Sequence, residues 1–567
     1  MKTFSLFGLA SLPAALALNI PAQQILFPGE LSRNSAELSD REICPQAAKV
    51  ALPEDGFESS LKFLNDAAFR TRQASRLSRA VQVPTVVGDF MEDPYDEAFE
   101  PVVQFQKLLK EMFPRVHAKA EVDHINRLGL VYTFQGVDTT QKPILFMAHQ
   151  DVVPIDDPAD WTHPPFDGYF DGEWLWGRGS SDCKNELLTQ DWSPSRTVLF
   201  AFGFDEESHG FLGAGSIAPE LEKKYGKDSF EFILDEGGMG LQSLESDSNE
   251  VVYALPGVGE KGSLDLVMEL AVPGGHSSIP PSHTGIGIMA EILYELERQE
   301  LFSPRLDPSH PSHGMLECQA RYSPSHVEPW LADKLAEGDA ETLGEAVASS
   351  RGPAVRYTLQ TSQAADLIRG GVKTNALPEK ISAVVNYRVA LHMTPDQLRE
   401  RAVRIISPIA KSHNVSLHVA FPGVADSKDN FFGGDGDRTL VLSPLNEPLS
   451  PAPISPSDPL TSKVWAQFSG VARSVFESHP NPLAKSDSKA ESSPTVVVTG
   501  DIMTGNTDTR FYWSLSENIY RWSPSRMGGT FNIHTVDERI RLDVHLEGLM
   551  LYYDLIRSFD GWNENSE

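Results

Sequence analysis

The clearest signal along the chain is a change in the period of its apolar residues. The runs LGLVYTFQG (128–136), PILFMAHQD (143–151), TVLFAFGFDEE (197–207) and FEFILDEGG (230–238) are short, continuous and rich in strand formers. Runs of that kind fit strands buried on both faces, as in a parallel sheet. FEPVVQFQKLLKEMF (99–113) and GFLGAGSIAPELEKKY (210–225) instead place apolar residues at helical spacing. Strands alternating with amphipathic helices predict an α/β fold with a mostly parallel sheet.

Near residue 262 the texture changes. GSLDLVMELAVPGG (262–275) alternates apolar and polar residues, the period of a strand with one wet face. A helix at 284–299, a strand at 380–391, a helix at 394–413 and a strand at 415–421 follow. This order predicts a smaller inserted α+β domain over 262–421 with a one-sided sheet. The stretch 303–355, rich in Pro, Ser, His and Glu, reads as an insertion within it. The Gly- and Pro-rich 422–460 reads as a connector. A helix at 461–478, a strand at 494–503 and a closing helix at 536–559 then return the chain to the first domain. That domain therefore comprises 81–261 and 422–567, after a polar leader (18–80) with short helices, one at 58–74.

Composition narrows the class. Of 567 residues, 48 are basic and 79 acidic, a net charge of -31, which argues against nucleic acid as a partner. Residues 1–17 carry Lys2, an apolar run and Ala15-Leu16-Ala17, the layout of a signal peptide. The chain is therefore expected to enter the secretory pathway and to be extracellular or vacuolar, with no membrane span once the signal is removed. Asn414-Val415-Ser416 is its acceptor sequon. Cys44, Cys183 and Cys318 are too few for a disulfide framework. Either Cys44 and Cys318 pair or all three stay free.

Candidate chemistry gathers at the ends of the apolar runs, where open α/β sheets place their sites. His149 and Asp151 end one strand, Glu206 and Glu207 a second, and Asp235 a third. Asp182 lies in the turn GRGSSDCK (177–184), and His534 lies in FNIHTVDE (531–538). Buried carboxylates repel one another unless a cation neutralises them, so the set points to a metal centre. Adjacent residues on a strand face opposite ways, so Glu206 and Glu207 need a turn to converge.

HQD, GRGSSDCK, DEES, LDEGG, GGHSS and IHTVDE occur in an order that resembles the M20 metallopeptidases. GGVKTNALPEK (370–380) and GNTDTRFYW (505–513) resemble their carboxypeptidase S branch, the likeness running from about 95 to 560. This resemblance implies a catalytic domain with a smaller lid domain of the dimerisation type, and two Zn2+ ions per chain bridged by Asp182. It puts His149 and Glu207 on separate zinc ions, completed by Asp235 and His534. Glu206 becomes the general base, and Asp151 orients His149. His276, Asn375 and Arg388 become lid residues that bind substrate, and a homodimer in which a partner supplies the histidine is within the expectation. The bond Asp182-Cys183 is expected to be cis. The activity implied is a metallo-carboxypeptidase that cleaves the amide next to a free carboxylate in short or N-blocked peptides. An N-acyl-amino-acid amidohydrolase using the same site is the alternative. A third reading is a binder with impaired catalysis, because only KNELLTQDWSPSR (184–196) joins Asp182 to the next strand, where relatives have a long helix. A segment dropped from the deduced sequence is the favoured account of that gap, because every proposed ligand survives.

Overall fold

The computed structural model describes residues 43–51, 55–89, 91–184, 194–244, 251–299, 302–422, 431–432, 437–483 and 493–563. The expected signal segment lies outside the described residues, as does most of the short crossover, 185–193.

An eight-stranded sheet forms the larger body. At its centre Ile144–His149 runs parallel to Val198–Gly203 on one side and to Ile233–Asp235 on the other, and the latter is parallel to Ile519–Arg521. Gly129–Phe134 and Glu121–Ile125 add antiparallel strands at one edge, and Gly257–Glu260 and Asp501–Met503 extend the other. The sheet is thus mixed, with the parallel strands read from the sequence as its core. Those strands are buried on both faces because successive side chains go to opposite sides. Phe146 packs with Phe232, Phe468, Tyr552 and Phe559, whereas Leu145 and Met147 pack with Ile217, Leu221 and Tyr512. The helices Lys463–Phe476 and Leu542–Asp560 cover the first face and Ala214–Tyr225 the second.

Both described flanks of the crossover are pinned. Lys184 Nζ donates to the carbonyls of Ala80 and Val83 at 3.2 and 2.7 Å. The amides of Ser195 and Arg196 donate to Asp560 at 2.7 and 2.9 Å. Along Val198–Gly203 only Phe200 is left half-buried, stacked on Phe146 at 5.4 Å.

The smaller body is a six-stranded sheet built on Gly262–Ala271 and Lys380–Val389, antiparallel over ten residue pairs. Its one-sided alternation appears as expected, with Leu264, Leu266, Met268 and Leu270 packed under the helices Gly285–Arg298 and Pro395–Ser412. Thr394 caps the second helix in a reciprocal pair with Gln397. Two features depart from the sequence reading. Thr439–Pro444 and Phe431–Phe432 join this sheet as strands, so part of the supposed connector belongs to the smaller body. Ser362–Gly370 forms its edge strand, exposed along most of its length and broken by a register shift between Ala365 and Leu367, so it shows no regular period. Within 303–361 four helices, Pro311–Tyr322, Leu331–Glu337, Ala340–Arg351 and Pro353–Leu359, close around Leu306, Leu316, Leu343 and Leu359. A disulfide joins Cys318 of the first of these to Cys44, and Cys183 is a free, buried thiol.

Candidate metal centre

Five segments at one end of the central strands bring the titratable residues together. His149 is the last residue of its strand and is almost wholly buried. Its Nδ1 lies 3.0 Å from the carbonyl and 3.3 Å from the carboxylate of Asp151, which fixes the ring and leaves Nε2 facing the site. Asp151 also accepts the amides of Glu206 and Glu207, at 3.2 and 3.0 Å. Those two glutamates sit on a 3-10 turn, Glu206–Ser208, that ends in the left-handed His209. The turn rotates them off the strand's alternation, so donor atoms of His149, Glu206 and Glu207 all lie within 4.8 Å of one another.

Asp182 stands at the centre. Its Oδ1 is 3.0 Å from His149 Nε2 and its Oδ2 is 3.0 Å from His534 Nε2. One carboxylate thus serves two imidazoles through separate oxygens. Glu236 lies 3.1 Å from His149 Nε2, and Glu207 lies 3.0 Å from His534 Nε2. Two ligand groups result, His149, Asp182 and Glu236 with the Cys183 thiol, and Asp182, Glu207 and His534. The peptide Asp182-Cys183 is cis, as expected.

The sequence reading placed Asp235 among the ligands, and the structure brings its neighbour Glu236 into the group around His149. Asp235 is still part of the strand, its carbonyl bound by Trp522 N at 2.8 Å; its charged neighbours are Glu260, His149 and Arg521, and its Oδ2 is buried without a hydrogen-bond partner among the described residues. Glu236 is the first residue past the strand, free of the pleat, and its longer side chain reaches His149. The string LDEGG carries two adjacent acids, and no period in it says which one leaves the sheet.

The electrostatics demand positive charge. Burial and the neighbouring Glu207 and Glu236 carboxylates push Glu206 well above the ordinary carboxylate range, and burial with Asp182 does the same to Glu236. Burial opposes charge on His534, but the Asp182 and Glu207 carboxylates, each 3.0 Å from its Nε2, carry it up to about 11. The imidazoles supply charge that the carboxylates lack. Glu207 Oε1 and His534 Nε2, although 3.0 Å apart, are both buried without a properly aligned hydrogen bond, which suits two ligands of one cation. Imidazole nitrogen and carboxylate oxygen suit zinc, and a pair of ions sharing one carboxylate fits the two groups around Asp182.

The three expected substrate residues lie elsewhere. Arg388, half-buried on its strand in the smaller body, donates to Asn506 Oδ1 at 3.1 Å, in the 505–511 loop of the larger body. His276 and Asn375 sit on an exposed two-stranded arm, Gly275–His276 paired with Ala376–Leu377. The ring of His276 is held by Ser278, through Oγ at 2.8 Å, and among the described residues His276 joins none of the metal-ligand groups.

The model of the peptidase family M20/M25/M40 matches residues 145–558. Carboxypeptidase S of Saccharomyces cerevisiae is 34% identical, over 90% of this chain and 88% of the relative. The human N-fatty-acyl-amino acid synthase/hydrolase is 28% identical over 87% and 88%. The crystal structure of human carnosine dipeptidase 1 shares the fold at a TM-score of 0.55 and 15% identity, covering 89% of this chain and 98% of that one.

Proposed function

This chain belongs to peptidase family M20/M25/M40, and we propose that it is a zinc-dependent carboxypeptidase acting on short or N-blocked peptides. It is an enzyme of the M20 metallopeptidase type, with a candidate metal site in place. The observation that carries the finer reading is the Asp182 carboxylate, one oxygen on each histidine and a glutamate beside each.

In this reading His149, Glu236 and Asp182 hold one zinc ion, and Asp182, Glu207 and His534 hold the other. Such a pair of ions polarises a carbonyl and makes water acidic at neutral pH. Glu206, whose carboxylate lies within 4.8 Å of donor atoms of His149 and Glu207, takes the proton of the attacking water and passes it to the leaving amine. Asp151 holds His149 in one tautomer and keeps Glu206 and Glu207 on their turn. Arg388 supplies a guanidinium for the substrate's free carboxylate. His276 and Asn375, exposed on their arm, are supplied to a neighbouring protomer in a homodimer. The exposed Leu367 and Ile368 on the edge strand and Ile279 and Val372 on or beside the arm support that assembly. Lid and catalytic domains follow the two sheets. The Cys44–Cys318 disulfide supports a secretory, extracellular or vacuolar location.

Chelation should abolish hydrolysis of a blocked dipeptide, and zinc should restore it. Activity indifferent to chelation would sink the reading. The second reading, hydrolysis of N-acyl amino acids, is favoured by the name of the human relative. Both substrates present one free carboxylate beside the amide, so comparing fatty-acyl amino acids with blocked dipeptides by kcat/KM separates them.

A further inference from the structure

The loop that carries Asp182 has no sheet to hold it. Residues 177–184 are a run of turns, yet Asp182 must keep each carboxylate oxygen on a different histidine. What fixes this loop comes from the far end of the sequence. Glu538 is fully buried, four residues after His534. Its Oε1 accepts the amides of Gly179 and Ser181 at 3.1 and 3.0 Å, and its Oε2 accepts Arg178 Nη1 at 2.6 Å. Its carbonyl accepts the amide of Gly177 at 2.9 Å, and the next carbonyl, Arg539, accepts Ser181 Oγ at 3.2 Å. Arg178 in turn lies over the ring of Trp161 at 5.4 Å.

We infer that Glu538 is a positioning residue for the metal centre: its carboxylate clamps the Asp182 loop to the segment that carries His534. The geometry distinguishes this from an ion pair that merely stabilises the fold. Two of the three side-chain bonds go to backbone amides, and one of those amides belongs to Ser181, joined directly to Asp182. Fixing that peptide sets the direction in which the Asp182 carboxylate leaves the chain. The other end of the clamp fixes the origin of the His534 turn, where Asn532, His534 and Asp537 all have positive φ. One residue thereby registers two ligands that stand about 350 residues apart. The clamp is built from protein alone, so it exists before any ion arrives. Partners of this kind beyond the ligands tune metal affinity by about 10–100-fold.

This inference rests on the metal reading above, and its test uses metal binding and amide exchange, with no substrate. Zinc is titrated calorimetrically into chelated wild type and Glu538→Gln, whose amide keeps the volume but weakens acceptance from two backbone donors and a guanidinium. The expected result is a folded variant with a lower metal-free thermal midpoint, because Arg178 loses its buried counter-charge, and with a zinc affinity at a temperature well below that midpoint reduced about 10–100-fold. Equal affinity for the two proteins overturns the inference and leaves the metal reading standing. A wild type that binds no zinc overturns both. Should the variant fail to fold, hydrogen exchange on wild type decides. The amides of Gly179 and Ser181 stay protected after chelation if Glu538 holds them, and exchange at open-loop rates if the ions do.

Discussion

The metal centre and the exposed arm of the smaller body are opposite solutions to placing a histidine. His149 ends a strand buried on both faces, and its ring is held by Asp151 and flanked by Asp182 and Glu236. His276 sits on a ribbon with two residue pairs, its ring held only by the neighbouring Ser278. The first environment fixes position through packing and a network with both ring nitrogens engaged. In the second, the imidazole Nε2 has no partner among the described residues and can meet something outside its own domain. A centre that must hold charge against repulsion needs rigid support from several elements, whereas a residue that meets a substrate or a second protomer needs reach.

Breaking the first region should have the largest effect. Asp182→Asn removes the carboxylate shared by both ligand groups, so zinc content by elemental analysis should fall and kcat/KM should drop by about a thousandfold or more, several kcal/mol of lost transition-state stabilisation. Glu206→Gln should lower kcat by about 10²–10⁴ with zinc content unchanged, and loss of metal from this variant would reassign Glu206 as a ligand. The arm comes next. His276→Ala should cost about 10²–10³ in kcat, the range for losing one donor to a developing oxyanion. If the histidine comes from a partner, mixing His276→Ala with Glu206→Gln protomers should restore activity. No recovery in a verified mixed dimer would break the contrast.

A finer test separates two adjacent acids. Glu236→Gln should weaken zinc binding markedly, while Asp235→Asn should leave the calorimetric affinity near wild type, and the reverse result would return Asp235 to the ligand set. The smallest effect concerns stability and pH. Burial lowers His310 and His545 to about 4, below the 6.5 of an unfolded histidine. The unfolded chain therefore binds these protons first, and stability is lost as pH falls from 6.5 to 4, by up to about 3 kcal/mol for each histidine. Chemical denaturation across that interval should show a shallower slope for His310→Asn and for His545→Asn, and an unchanged slope would remove them as its cause.

Much of the site was legible because its residues follow the cleanest local signals. Continuous apolar runs marked the central strands, and His149 and the Glu206-Glu207 pair stand where those runs stop. The turn those glutamates require is present, with Asp151 accepting both their amides. Legibility failed where local pattern is silent. Asp235 and Glu236 differ by one position, and only the end of strand pairing decides which reaches His149. Glu538 ends the string IHTVDE, but nothing local in that string gives it a role, because its partners lie about 360 residues away in the sequence. The edge strand Ser362–Gly370 lacks the alternation that would mark it, and Thr439–Pro444, paired on both sides, stands in a Gly- and Pro-rich stretch that hides its short alternation.

By itself the sequence determined the classes of element, the two-body plan and the chemical types of the ligands, because periodicity and charge act over a few residues. Only the tertiary structure decided which acid leaves the sheet, that one oxygen of Asp182 serves each histidine, that Cys44 pairs with Cys318, and that His276 stands exposed on a short paired ribbon. Each of those outcomes depends on distances between segments remote in sequence, which packing and backbone pairing set and composition does not.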